Sequence, residues 1–197
     1  MRLKDKSAYY AFKARGLEGL IAHVTSRLFG DAHFLRPASS VDFKLTGMRS
    51  FQNLEDYLSW ILPKVKKDEI SSVLKEAEAF LDENTTKNQL EFPDRWNSGR
   101  NLQLLLYSFV RLTKVKTVVE TGTANGASAL AIAGALNKNG VGELFSFDIE
   151  YSGAPLVPSH LRDRINFIHT DGTQEFIINF MSQKMATDGP SLFLHDA

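Results

Sequence analysis

Apolar positions along the chain follow two rhythms, and the change falls near residue 115. Before it, the spacing is three to four, the period of a helix with one buried face. Leu17, Leu20, Ile21, Val24 and Leu28 predict a first helix, weakened by Gly16 and Gly19. Leu54, Tyr57, Leu58, Ile61 and Leu62 predict a second, entered near Ser50 and closed by Pro63. Ile70, Val73, Leu74, Ala77, Phe80 and Leu81 predict a third, with Asp68 at its N-cap. The polar residues 82–97 read as a long loop. A fourth helix, from Ser98 to Lys114, is apolar on most of its circumference.

After residue 115 short runs rich in Val, Ile and Phe alternate with helical stretches. Strands are expected at 116–120, 143–147, 165–169 and 191–195, and helices at 126–137, near 158–162 and at 173–184. Asn139-Gly140 and Asp188-Gly189-Pro190 mark helix ends and turns. This is a doubly wound, Rossmann-like parallel α/β sheet, incomplete at its C-terminal side. Residues 1–97 would form a helical extension, serving as a lid or in dimerisation, and residues 98–197 the sheet domain.

Composition narrows the class of function. The 197 residues are 43% hydrophobic and 23% charged, ordinary for a globular chain. Lys+Arg and Asp+Glu balance at 23 each, which gives no reason to expect nucleic acid or an anionic membrane as partner. With no cysteine there are no disulfides, thiolate metal sites or thiol nucleophiles. No signal-peptide or membrane-length apolar run occurs, and a cytoplasmic protein is expected, a homo-oligomer remaining open.

The candidate chemistry begins where the first strand ends, in Glu120-Thr121-Gly122-Thr123-Ala124-Asn125-Gly126-Ala127-Ser128. Gly122 permits a sharp turn and Gly126 the approach of a ligand to the helix start. The amides and dipole there attract an anion, while Glu120 can accept from a cation or hydroxyl. An anion site facing an acid suits a zwitterion, such as an amino-acid moiety, better than a pyrophosphate. The glycine spacing is not the G-x-G-x-x-G of nicotinamide-binding loops, which disfavours an NAD-type oxidoreductase. Asp148 ends the second strand, with Glu150 as its rival, and an acid in that place accepts ribose hydroxyls in nucleoside-binding sheets. After the third strand come Thr170-Asp171-Gly172-Thr173-Gln174, where Asp-Gly is also ordinary turn chemistry and Thr173 an ordinary helix cap. Three acids, Glu120, Asp148 and Asp171, thus end three successive strands, at the edge where such sheets bind ligands.

The run VVETGTANGAS resembles the first motif of class I S-adenosylmethionine-dependent methyltransferases, with Ala124 in place of the middle glycine. Ser128 is similar to the Ser of catechol O-methyltransferase-type and family-24-type members. The resemblance covers residues 98–197. It implies that Gly122, Thr123, Gly126 and Ser128 hold the methionine part of the cofactor, Asp148 the ribose, and Asp171 with Gly172 and Gln174 the adenine. The implied activity is methyl transfer to a small-molecule acceptor, at oxygen. The alternative is a degenerate cofactor-binding module that works by oligomerising.

His195 and Asp196 follow the fourth strand, where the methyl group would point. An oxygen nucleophile needs a base or a metal, so His195 is a candidate base and Asp196 a candidate base or magnesium ligand. As a strand-end residue and a turn former, the pair also has a purely structural reading. His169 receives no role, and His23, His33 and His160 show no ligand spacing. Phe92 and Trp96 precede the fourth helix, placed to approach the cofactor edge but expected to be buried in the helical core. The resemblance implies seven strands where four are predicted, so truncation, a covering partner or loss of strands is expected.

Overall fold

The computed structural model describes residues 53–85, 90–150, 153–171, 174–184 and 190–195. The first predicted helix, the Ser50 entry and the Asp188-Gly189 turn lie outside the described residues. Helix α1 spans Leu54–Ile61 and is capped by Asn53, whose side chain accepts from Asp56 N at 2.8 Å.

Helix α2 spans Lys67–Asn84, and Asp68 is not its cap. The main-chain oxygen of Lys66 takes the Glu69 and Ile70 amides, so the helix starts earlier and Asp68 lies in its first turn, near the positive end of the dipole. The expected loop at 82–97 is also shorter than its polarity suggested. Helix α2 runs on through Asn84, Thr85 Oγ1 closes it on Leu81 O at 2.5 Å, and Asp94–Trp96 makes a single 3₁₀ turn. Helix α3 spans Arg100–Thr113 and ends on Lys114 in the left-handed conformation.

Four strands, β1 (Thr117–Thr121), β2 (Glu143–Asp148), β3 (Ile165–His169) and β4 (Ser191–His195), form one parallel sheet in the order β3-β2-β1-β4. Helix α4 (Ala127–Asn139) joins β1 to β2, a 3₁₀ segment (Ser159–Arg164) precedes β3, and helix α5 (Gln174–Lys184) precedes β4. The chain winds outward from β1 to β3 and then returns to the other side of β1. The switch point of this doubly wound sheet therefore lies between β1 and β4, and a crevice outside the carboxyl ends of the strands is expected there.

Alternation along the strands sends Val118, Leu144 and Leu194 to one face, packed under α3 and α4, and Val119, Phe145 and Phe147 to the other, under Ile177, Phe180 and Met181 of α5. Helix α4 is buried from Ala127 to Leu136 because it lies between the sheet and the outer helices. Gly134 admits one of these: the Phe80 ring of α2 lies 2.2 Å from where a Cβ on Gly134 would stand. Leu58, Ile70, Ala77 and Leu81 share the core of the sheet domain, so the helices at 54–84 pack as part of it.

A polar clamp ties these helices together. Glu76 of α2 accepts from Arg111 Nε at 2.6 Å and from the Tyr107 hydroxyl at 2.8 Å, while Arg111 also bonds Asn139 at the end of α4. Burial works against the Glu76 carboxylate, but the Arg111 and Tyr107 hydrogen bonds and the Arg111 charge outweigh it and hold its pKa below the usual value. Burial and the same carboxylate push the Tyr107 phenol well upward.

Candidate functional site

The loop between β1 and α4 is held from both sides by acids. On the α4 face of the sheet Glu120 is fully buried, accepting from Ser128 Oγ at 2.5 Å and from Ser146 Oγ at 2.9 Å. Ser146 is the register partner of Glu120 on β2, and its hydroxyl also meets Thr123 Oγ1 at 2.7 Å. With the Ser146 proton given to Glu120, Thr123 must donate to Ser146. The chain Thr123–Ser146–Glu120–Ser128 thus fastens both ends of the loop to the sheet beneath it.

Asp148 holds the middle of the loop. One carboxylate oxygen accepts from Thr123 N at 2.7 Å and Ala124 N at 3.0 Å, and the other accepts from Glu150 N at 3.1 Å. A carboxylate has about four acceptor positions, so a bidentate contact to a ligand would require release of one of these amides. Glu150, the rival of Asp148, enters this cluster through its backbone amide.

Gly122 and Gly126 have φ of 88° and 86°, conformations that favour glycine. Behind Gly126 the space for a Cβ is filled by Val157 Cγ2 at 2.9 Å and Ala154 Cβ at 3.0 Å. Close packing of the 153–157 segment on the helix start therefore explains this glycine within the chain itself. Ala124 has φ of 43°, so it adopts the glycine-like conformation at a cost of about 1 kcal/mol. Ala124→Gly is expected to stabilise the protein by about 0.5–1 kcal/mol, read from denaturant midpoints at unchanged slope.

Two of the loop's neighbours carry no signal in the motif. Asn125, fully buried, uses its whole amide on residues 91–97: its oxygen accepts from Glu91 N and Phe92 N, both at 2.9 Å, and its nitrogen donates to Phe92 O at 3.0 Å and Asn97 Oδ1 at 2.9 Å. Ile149, directly after Asp148, is 61% exposed and puts an apolar surface beside the acid. The expectation that Trp96 is buried is overturned. It is 53% exposed and stacks on Phe92, with ring centroids 5.6 Å apart, because the 3₁₀ turn carries it off the helical core.

At the switch point itself Thr121 and His195 are register partners on β1 and β4, and Thr121 Oγ1 meets His195 Nδ1 at 2.6 Å. By strand alternation this pair faces the α5 side, opposite Glu120 and Ser128. Asp171 is exposed just past the end of β3. Gly172, Asp196 and the side chain of Gln174 lie outside the described residues. Among the described residues no group of three His, Cys, Asp or Glu could hold a metal ion, and no helix is long and apolar enough to cross a membrane.

No protein-family model matches the chain, and no curated protein matches it. Among solved structures, the SAH-bound methyltransferase PaMTH1 of Podospora anserina is similar at 19% identity and a TM-score of 0.39, over 77% of this chain and 61% of that one. The chain thus spans about three fifths of that protein's length.

Proposed function

We propose that the chain is an S-adenosylmethionine-dependent methyltransferase acting on a small molecule at oxygen. The observation that supports this best is Asp148 at the loop amides of Thr123 and Ala124, because it puts a hydroxyl-accepting acid and a turn built on left-handed residues at one sheet edge. The donor set suits the cofactor part by part. The start of α4 offers amides and a positive dipole end to a carboxylate. Asp148 can take a ribose hydroxyl, Ile149 gives a purine an apolar face, and Asp171 at the neighbouring strand end can accept from its amino group.

S-adenosylmethionine supplies an activated methyl group when bound, so the protein's tasks are alignment and removal of one proton. His195 is the proposed base. When Nδ1–H donates to Thr121 Oγ1, the lone pair lies on Nε2, where an acceptor hydroxyl can reach it. Asp196, next in the chain, is the proposed second base or magnesium ligand. A cytoplasmic location and a homo-oligomer belong to the same reading.

Calorimetry with S-adenosylhomocysteine and with NADH tests it. Binding of the first and none of the second is expected; NADH binding with no response to millimolar S-adenosylhomocysteine would refute the reading. A second reading, a cofactor-binding module without catalysis, has one observation in its favour: Asp148 already has three bonds within the chain, and Ser128 gives its proton to Glu120. Cofactor binding with no turnover over a panel of hydroxyl acceptors would select it.

A further inference from the structure

The segment at residues 91–97 is joined to the candidate cofactor loop as tightly as a strand is to its sheet. Four hydrogen bonds run from the single side chain of Asn125 to Glu91, Phe92 and Asn97. A fifth links Glu91 Oε2 to Gly153 N at 2.8 Å, on the far side of the same loop. Asn125 adjoins Ala124, whose amide Asp148 holds, so Phe92 and Asp148 are separated by two hydrogen bonds and the peptide between them. A buried side-chain amide with every donor and acceptor satisfied is rigid, since moving it would strand several polar groups away from water. What this frame presents is a pair of stacked rings, Phe92 and Trp96, with the indole half open to solvent. The core does not need that indole, and leaving so large an apolar surface exposed forgoes the gain of burying it.

We infer that Asn125 is a positioning residue that fixes the Phe92–Trp96 pair as the acceptor-side wall of the site, and that this wall takes a planar aromatic acceptor. Ring faces in offset stacking discriminate a flat π-system from a puckered saturated ring of similar size and hydroxyl content. The inference deepens the methyltransferase reading by naming the acceptor class, and it rests on that reading for the reaction.

The test uses Trp60→Phe protein, which leaves Trp96 as the sole indole of the chain's two. Trp96 emission is followed during titration with phenol and with cyclohexanol, in the presence of S-adenosylhomocysteine. Phenol should quench saturably and bind about fivefold to tenfold tighter than cyclohexanol. Asn125→Leu should abolish that preference. If that variant does not fold, Trp96→Leu in the natural background carries the test by calorimetry: the phenol preference disappears, Trp96→Phe restores part of it, and S-adenosylhomocysteine affinity changes less than about twofold. Equal binding of the two alcohols alongside bound S-adenosylhomocysteine overturns the wall and leaves the cofactor reading intact. A phenol preference without any S-adenosylhomocysteine binding does the reverse.

Discussion

Asp148→Ala is expected to weaken S-adenosylhomocysteine binding about 100-fold and to abolish methylation of any acceptor, since a hydrogen bond to a charged group is worth about 1.5–3 kcal/mol. Part of that loss would come from the loop. Without the carboxylate, Thr123 N and Ala124 N lose their acceptor, and the turn loses the contact that fixes its middle. A cycle separates the two contributions. Asp148→Ala is combined with the cofactor analogue lacking one ribose hydroxyl, and the four affinities are measured by calorimetry. If Asp148 holds the ribose, the missing hydroxyl weakens binding to the natural protein about tenfold or more and makes little difference to the variant. If the acid acts only through the loop, the two losses add. The three bonds Asp148 already accepts sharpen the expectation further: a single hydroxyl contact can form without any rearrangement, whereas a bidentate one requires an amide to let go. An affinity for the alanine variant within about threefold of natural would remove Asp148 from the site.

The acids and the sheet were legible in the sequence for one reason: both depend on local order along the chain. Strand runs such as Ile165–His169 and Ser191–His195 are dense in Ile, Leu and Phe and are interrupted by turns, so their limits come out as expected. Asp148 and Asp171 then fall at or just past strand ends simply by position. The features that escaped depend on which residue lies opposite which. Ser146 belongs to the Glu120 network only because parallel register pairs the two, and Thr121 meets His195 for the same reason on the other side of β1. Register is fixed by the packed faces of the whole sheet, not by any one strand. Asn125 is harder still, because its partners lie more than thirty positions back, in a stretch whose polarity resembles a solvated loop. The Asp68 cap failed on a smaller scale. Several polar residues precede α2, and only the backbone bonds to Lys66 O decide among the starts they offer.

Glu120→Ala should be the most destabilising substitution at the site, by about 3–4 kcal/mol. Read as the acid nearest the glycine turn, Glu120 invites a role toward a ligand. Its full burial and its bonds to Ser128 and Ser146 make it the post on which the loop is tied. Alanine there strands two buried hydroxyls and leaves a cavity between β1 and α4, and each contribution is of the order of 1–3 kcal/mol. For a chain of 197 residues this corresponds to a fall in Tm of roughly 8–15 °C. Glu120→Gln keeps the volume and one carbonyl acceptor, and the hydroxyls can turn to meet its amide, so a loss of only about 1–2 kcal/mol is expected. The contrast between the two variants carries the inference, because a surface acid would show neither loss. Thermal unfolding followed by circular dichroism reads both, and an alanine variant melting within about 3 °C of the natural chain would dissolve the anchored loop on which the proposed cofactor site depends.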